Sequence, residues 1–418
     1  MDKTALRLLT FSTLYPSATR PNHGVFVENR LRHLVASGQV SSVVVAPVPW
    51  FPSTNPRHGD WARIAATPAE ETRHGLRVLH PRYPLVPKIG MTLAPFLLYR
   101  AMVPVLRRLL AEIGPVDAID AHYFYPDGVA AVWLGRTFNL PVVVTARGTD
   151  ISLIPSFRWP RALIGQVIRD SAAMITVSAA LKEALVTLGA PDSKVTVLRN
   201  GVDTDLFRPP EDRAALRIRL GFHRPTLVSV GLLIARKGHD RTIEAMLQLP
   251  EYDLVIAGEG PERQALLDLI ARHGLTDRVK LLGPRPHAEL PDLYGASDAS
   301  VLSSSREGWA NVLLESMACG TPVVASNIWG NPEVVRQAEA GVITDENTPS
   351  GIARGVRRLF QDPAPRPATR AYAEQFGWDE TTQGQLTLFA RIAERRARSC
   401  GADGFGHGAP VALRGNPP

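Results

Sequence analysis

Two glutamates, Glu307 and Glu315, stand eight positions apart in the segment SSSREGWANVLLESMACGTPVVAS, residues 303–326. Arg306-Glu307-Gly308 reads as a turn and the stretch from Asn311 to Ala318 as a helix. Gly320-Thr-Pro322 closes that helix and a short apolar strand follows. A helix that opens directly after a glycine-containing loop presents free backbone N–H groups and the positive end of its dipole, which suits a phosphate. The backbone of Gly308, Asn311, Val312 and Leu313 is therefore a candidate anion cradle. Glu315, about one turn further in, can accept hydrogen bonds from a sugar diol.

Other polar groups fall at the ends of apolar runs. Gly231-Leu-Leu-Ile-Ala-Arg236-Lys237-Gly238 offers a guanidinium fork beside an ammonium, a pair able to clamp a diphosphate. Gly258-Glu259-Gly260 and Gly283-Pro284-Arg285 permit tight turns close to a ligand, although plain strand-to-helix turns explain them equally well. In the first half, Gly24 opens a helix, and His122, Asp127, Arg147 and Asp150 follow apolar runs. Adjacent basic residues are ordinarily solvated, and a lone His or Asp at a strand end is ordinarily structural. Their accumulation at successive strand ends is what points to a cleft.

The elements that must position these groups alternate. Apolar runs at 6–11, 43–48, 118–120, 142–145 and 174–177 read as strands in the first half, and 226–230, 254–257, 279–282, 299–302 and 323–325 in the second. Helical patterns such as 27–37 and 263–273 lie between them. Such alternation predicts an α/β protein with two Rossmann-like parallel-sheet domains. The turn-rich Arg199-Asn200-Gly201-Val-Asp203 and the pair Pro209-Pro210 mark the boundary. The expected division is 1–205, 206–375, a crossover helix over 376–396, and a disordered Gly- and Pro-rich tail over 397–418.

At 418 residues, with 45% hydrophobic and 21% charged residues, the chain reads as an ordinary globular protein of two domains. A net charge of +7 admits a solvated Arg-rich surface, an anionic ligand or an anionic membrane. Nucleic acid is disfavoured because no basic run is interleaved with aromatics. Two cysteines, Cys319 and Cys400, imply no disulfide framework and suit a reducing cytoplasm. The N-terminus reads as a strand rather than a signal peptide, and no apolar run reaches the roughly 18 residues of a membrane span. Residues 91–113 combine a strongly apolar helical pattern with Arg100, Arg107 and Arg108. They read as a core helix or as an amphipathic surface helix on anionic lipid. No metal constellation is expected: Asp203-Thr-Asp205 suits a turn better than a cation, and P-loop and GxSxG patterns are absent.

EGWANVLLESMACGTPVVAS resembles the signature of glycosyltransferase family 4, which are retaining enzymes of GT-B fold. RNGVDTDLFRP (199–209), VGLLIARKGHD (230–240), AGEGPER (257–263), GVFVENRLRHL (24–34) and VTARGTDIS (144–152) resemble that family's motifs in the same order, so the likeness covers roughly residues 5–395. The resemblance implies two lobes facing a central cleft, with a C-terminal helix near Trp378 crossing back to the first. It implies that Glu315 binds ribose hydroxyls, that Glu307 contacts the donor sugar, and that the backbone at Asn311–Leu313 holds the diphosphate with Lys237 and Gly24. Asn200, Gly231, Glu259 and Asp150 match positions in those motifs, while Arg285 is a candidate only from the turn Gly283-Pro284-Arg285 after a strand. Two departures stand out. Leu232 follows Gly231 where the family often has Arg, so Arg236 is the candidate second cation. Arg147-Gly148 stands where many members have His-Gly, so His122 or Arg147 is expected to fill the space beside the sugar.

The expected function is transfer of a sugar from a UDP- or GDP-linked donor to a glycan or lipid-linked acceptor, without a metal or other cofactor, in cell-envelope polysaccharide or glycolipid synthesis. The expected location is the cytoplasm, at the inner face of the membrane. The alternatives are a nucleotide-sugar epimerase on the same fold and a non-catalytic nucleotide-sugar-binding scaffold.

Overall fold

In a computed structural model, residues 5–85 and 90–402 are described. Two sheets form the frame, parallel throughout except for one antiparallel edge strand in the first. The first runs in the order Val195–Val197, Ala173–Thr176, Val142–Ala146, Ala118–His122, Leu6–Phe11, Val40–Val45, Leu76–Leu79 and Glu70–Arg73. The second runs Val279–Gly283, Asp253–Ala257, Thr226–Val230, Ala299–Leu302, Val323–Ser326 and Gly341–Thr344. The central strands bury residues on both faces, as helix-covered parallel sheets require.

Where the sheets differ from expectation, the cause is local. The strand expected over 43–48 begins at Val40 and ends at Val45, because Ser41 and Ser42 pair with Arg7 and Leu8. Pro47 lacks the N–H needed to continue the ladder, and Val48–Pro49 instead pairs with Arg82–Tyr83. The antiparallel hairpin of Glu70–Arg73 and Leu76–Leu79 was not expected. Its turn is His74-Gly75, both with positive φ, at 49° and 78°.

The segment carrying Arg100, Arg107 and Arg108 is a helix, Gly90–Ile113, that contains Pro95 and Pro104. Leu98, Met102, Leu106 and Leu109 lie on one buried face and join the main core, while the three arginines are exposed. Met91, Leu93 and Phe96 are exposed at its start. Among the described residues no helix is long and apolar enough to cross a membrane.

The terminal helix, Asp379–Ala402, runs past residue 396, and the rest of the tail lies outside the described residues. Its Leu386, Leu388, Phe389 and Ile392 join Leu8, Ala118, Val143, Ile175 and Leu198 in one cluster against the first sheet. At roughly 1.5–3 kcal/mol for each fully buried apolar side chain, this face anchors the second lobe to the first. Trp378, just before the helix, stacks on His33 of the first lobe at 5.0 Å.

The lobes also meet at the mouth of the cleft. Arg199 and the backbone N–H of Ala180 both donate to Glu333, at 2.6 and 3.1 Å. Trp309 Nε1 donates to Asn200 O at 3.1 Å, and Asn200 Nδ2 donates to Asn311 Oδ1 at 3.2 Å. Gly148 of the first lobe lies against Gly308 of the second: a Cβ on Gly308 would come within 2.9 Å of Gly148 Cα and collide with Arg147 O.

Candidate active site

The second lobe brings two loops together. The strand Thr226–Val230 leads into a loop whose Ala235–Lys237 turn ends at Gly238, with φ of 68°. The strand Ala299–Leu302 leads into residues 303–310. Ser305 N donates to Arg236 O at 2.8 Å and Arg236 NH1 to Arg306 O at 2.7 Å, which fastens one loop to the other. The neighbouring strands are paired in register, so the loops leave the same sheet edge.

Their side chains form an ionic cluster. Lys237 Nζ donates to Glu307 Oε1 at 2.6 Å, Arg236 NH1 lies 3.4 Å from Glu307 Oε2, and Ser304 Oγ donates to Oε1 at 2.7 Å. Burial pushes the Glu307 carboxyl upward, but the Lys237 and Arg236 charges and these hydrogen bonds outweigh it and hold the group below the usual carboxylate range. A Cβ on Gly231 would lie 3.4 Å from Lys237 Cδ and Cε, so the glycine leaves room for the lysine stem.

A depressed pKa adds stability that is complete above the unfolded value of about 4.3 and is lost as pH falls through the folded value. Wild type is therefore expected to exceed Glu307→Gln by about 1–3 kcal/mol at pH 7, with the gap shrinking below about pH 4. Denaturant unfolding at several pH values measures it; a constant gap from pH 7 to 3.5 contradicts the cluster.

The helix Asn311–Ala318 opens beside this cluster, and Asn311 and Val312 line the cleft. Leu313 does not: its side chain is buried and its N–H is already donated to Ala310 O at 3.0 Å. Glu315 lies about 6 Å further along the axis. Its carboxylate accepts from Tyr294 OH and pairs with His287 Nε2, both at 3.2 Å. Burial lowers the His287 pKa, but the Glu315 carboxylate more than restores it and leaves it raised. Glu259 and Arg285 do not line the cleft. Glu259 is exposed and caps the N–H of Gly260, while Arg285 pairs with Glu289 at 3.6 Å.

The first lobe supplies the opposite wall. Gly24, with φ of 77°, packs against the Leu14 carbonyl and opens the helix Val25–Ala36. Arg147 reaches the cleft: its NH1 donates to Asn200 Oδ1 at 3.1 Å and its guanidinium lies 5.2 Å from the Phe26 ring centre. His122 stays behind it, fully buried, with Nδ1 accepting from Arg147 NH2 at 2.7 Å and Nε2 facing Asp120 at 3.3 Å. Burial lowers its pKa, so it is a neutral prop for Arg147 rather than a group open to a ligand. Asp150 also points inward, accepting from the N–H groups of Phe124, Arg147 and Gly148. Asp127 does the same for Thr13, and burial pushes its carboxyl up to about 7.

Together these walls enclose a cleft of about 850 Å³ lined by Gly24, Arg147, Asn200, Gly231, Arg236, Lys237, Glu307, Gly308, Asn311 and Val312. Arg20, His23, Arg63, Tyr123 and Thr149 line it too, and sequence reasoning did not single them out. Arg20 and His23 lie four residues and one residue before Gly24, and that proximity was the available signal. Nothing in sequence pairs them with Arg63, about forty residues away. His287, which pairs with Glu315 from 28 residues away, was missed for the same reason, whereas Ser304 stands three residues before Glu307 and its adjacency was an available signal. Among the described residues no group of three or more His, Cys, Asp or Glu is placed to hold a metal ion.

Residues 24–206 match the model of Glycosyltransferase Family 4, and residues 212–376 that of Glycosyl transferases group 1. A D-inositol 3-phosphate glycosyltransferase of Thermobispora bispora is 31% identical over 363 residues, covering 79% of this chain and 84% of the relative. Sucrose-phosphate synthase from Thermosynechococcus elongatus superposes with a TM-score of 0.76 at 19% identity, over 93% of this chain and all of the other. Anabaena HepE, solved in complex with UDP, gives 0.68 at 21%, over 94% of this chain and all of the other.

Proposed function

This chain belongs to glycosyltransferase family 4 and is a glycosyltransferase of GT-B fold, and from that premise we propose that it moves a sugar from a nucleotide-diphosphate sugar to an acceptor hydroxyl with retention of anomeric configuration. The observation that carries this reading is the Arg236–Lys237–Glu307 cluster beside the open end of the helix Asn311–Ala318.

In this reading the donor diphosphate lies against Lys237, Arg236 and the N–H groups near Asn311. The bond from the anomeric carbon to the β-phosphate oxygen breaks, and its electron pair stays on that oxygen. The acceptor oxygen bonds to the anomeric carbon from the same face and its proton passes to the phosphate. The two cations and the helix end stabilise the charge that develops, a task that needs no metal when fixed donors already surround the oxygen. Glu307 orients Lys237 and faces the sugar. Glu315 receives the ribose hydroxyls in exchange for His287. UDP or GDP fits this chemistry.

We assign the acceptor to a glycan or lipid-linked glycan of the cell envelope, reached by a cytoplasmic enzyme resting on an anionic inner membrane face. The exposed row of Arg100, Arg107 and Arg108 supports that placement. A thermal-shift panel of nucleoside diphosphates and their sugars tests the donor assignment. One diphosphate is expected to raise the melting point in wild type, and Glu315→Ala is expected to weaken that ligand by about 10- to 100-fold, the loss of hydrogen bonds to a charged acceptor. Absence of a shift with every nucleotide would sink the reading.

A further inference from the structure

The two walls of the cleft are separately cationic. On the second lobe Arg236, Lys237 and Arg306 face one carboxylate, Glu307. A donor diphosphate, with one negative charge on each phosphate, balances that wall. On the first lobe the cleft is lined by Arg20, Arg63 and Arg147 with a single carboxylate, Asp60. Asp120 and Asp150 lie close enough to Arg147 to act on its charge, which leaves Arg20 and Arg63 with Asp60 alone and nothing in a neutral sugar to balance the excess. His23 adds no charge, because burial and the Arg20 guanidinium push its imidazole down to about 4.

Arg20 is the sharpest imbalance. It is half-buried, its Nε is fully buried with no partner, and its guanidinium makes no hydrogen bond or ion pair among the described residues. Burial lowers its pKa, yet a guanidinium does not give up its proton near neutral pH. A partly desolvated, unpartnered cation is costly, so the site gains when an anion arrives. Asp60 acts on Arg20 without bonding to it, because it pairs with Arg63 on the short helix Asp60–Ala65 at the exposed rim, which leaves Arg20 the freer of the two.

We propose that the acceptor carries a phosphate or carboxylate, received by Arg20 with Arg63 behind it on the first-lobe wall. This rests on the glycosyl-transfer reading and names the acceptor class for it. The recognition is ionic, so it selects charge before sugar identity and weakens as salt rises.

Calorimetric titration at low salt, with the second-lobe site saturated by the nucleotide diphosphate found in the thermal-shift panel, tests it. The probes are glucose 6-phosphate and glucuronate, each against glucose. At least one charged probe is expected to bind roughly tenfold tighter than glucose or better, the scale of one close charge pair. Arg20→Gln removes that preference and Arg20→Lys retains part of it. Arg63→Gln, a change on an exposed helix that leaves the fold intact, weakens it as well. Nucleotide affinity stays within about twofold in all three variants. Equal binding of glucose and both charged probes overturns the proposal, as does a preference that survives in Arg20→Gln, while the donor assignment stands in either case because the nucleotide still binds. A protein that binds no nucleotide diphosphate overturns the transfer reading itself.

Discussion

Lys237→Met is expected to lower turnover by about 10²–10³-fold, the effect of deleting one fixed donor from a developing oxyanion. The geometry gives the reason. Lys237 Nζ is held 2.6 Å from Glu307 and its side chain is only 13% exposed, so its charge acts with little screening by water. Removing it does two things. The leaving phosphate loses a cation, and Glu307 loses its closest partner while remaining buried among Arg236 and Ser304. Met keeps most of the stem volume that packs over Gly231, so the loop is expected to survive. The measurement is single-turnover sugar transfer with saturating donor. A drop in rate with nucleotide affinity changed by less than about tenfold assigns Lys237 to the transition state rather than to ground-state binding. Wild-type turnover in this variant would remove the cluster from the mechanism.

The second large effect is expected at Gly308→Ala, about 10²-fold in kcat/KM. Gly308 carries no charge and offers no side chain. Its importance is that Arg147 O and Gly148 Cα occupy the space a methyl group would need. These are backbone atoms of the other lobe and cannot rotate away. A displacement of about 1 Å at this contact separates the acceptor wall from the donor wall, and reaction rates depend steeply on that alignment. Nucleotide affinity should hold within about threefold, because Lys237, Asn311 and Glu315 all belong to the second lobe. Lost transfer with retained nucleotide binding is the expected signature; loss of both to the same degree would mean that the change damages the 303–310 loop itself. Gly330, whose Cβ would meet Ser178 Cβ at 3.2 Å, repeats the arrangement nearby.

The two parallel-sheet units and the loops that carry Lys237 and Glu307 were legible because they rest on local patterns. The strands Leu6–Phe11, Thr226–Val230 and Ala299–Leu302 coincide with the expected apolar runs. Continuous apolar, β-branched runs bounded by turn residues set those strands regardless of what packs on them. The hairpin at 70–79 was not legible. EETR carries no apolar residue, and in LRVL the buried pair Leu76 and Val78 spans only four residues, too short an alternation to announce a strand. The helix Gly90–Ile113 was ambiguous in sequence because the same apolar face suits a protein core or a lipid surface. Packing of Leu98, Met102 and Leu106 in the core resolves that face, while the outer arginines remain exposed.

The candidate site divides along the same line. Glu307, Lys237 and Asn311 sit on loops whose chemistry follows from a strand end, a glycine and a helix start. Such features are set within ten residues of chain, and sequence alone specifies them. Which polar residues face the cleft is decided by contacts between distant segments. His122 and Asp150 have the right types at the right strand ends, yet Asp120, Arg147 and three backbone N–H groups claim them first. Arg20 and Arg63 belong to no shared motif and meet only because the first lobe folds one wall from both. Burial and ion pairing depend on the whole surrounding shell of atoms, and only the tertiary structure assembles that shell.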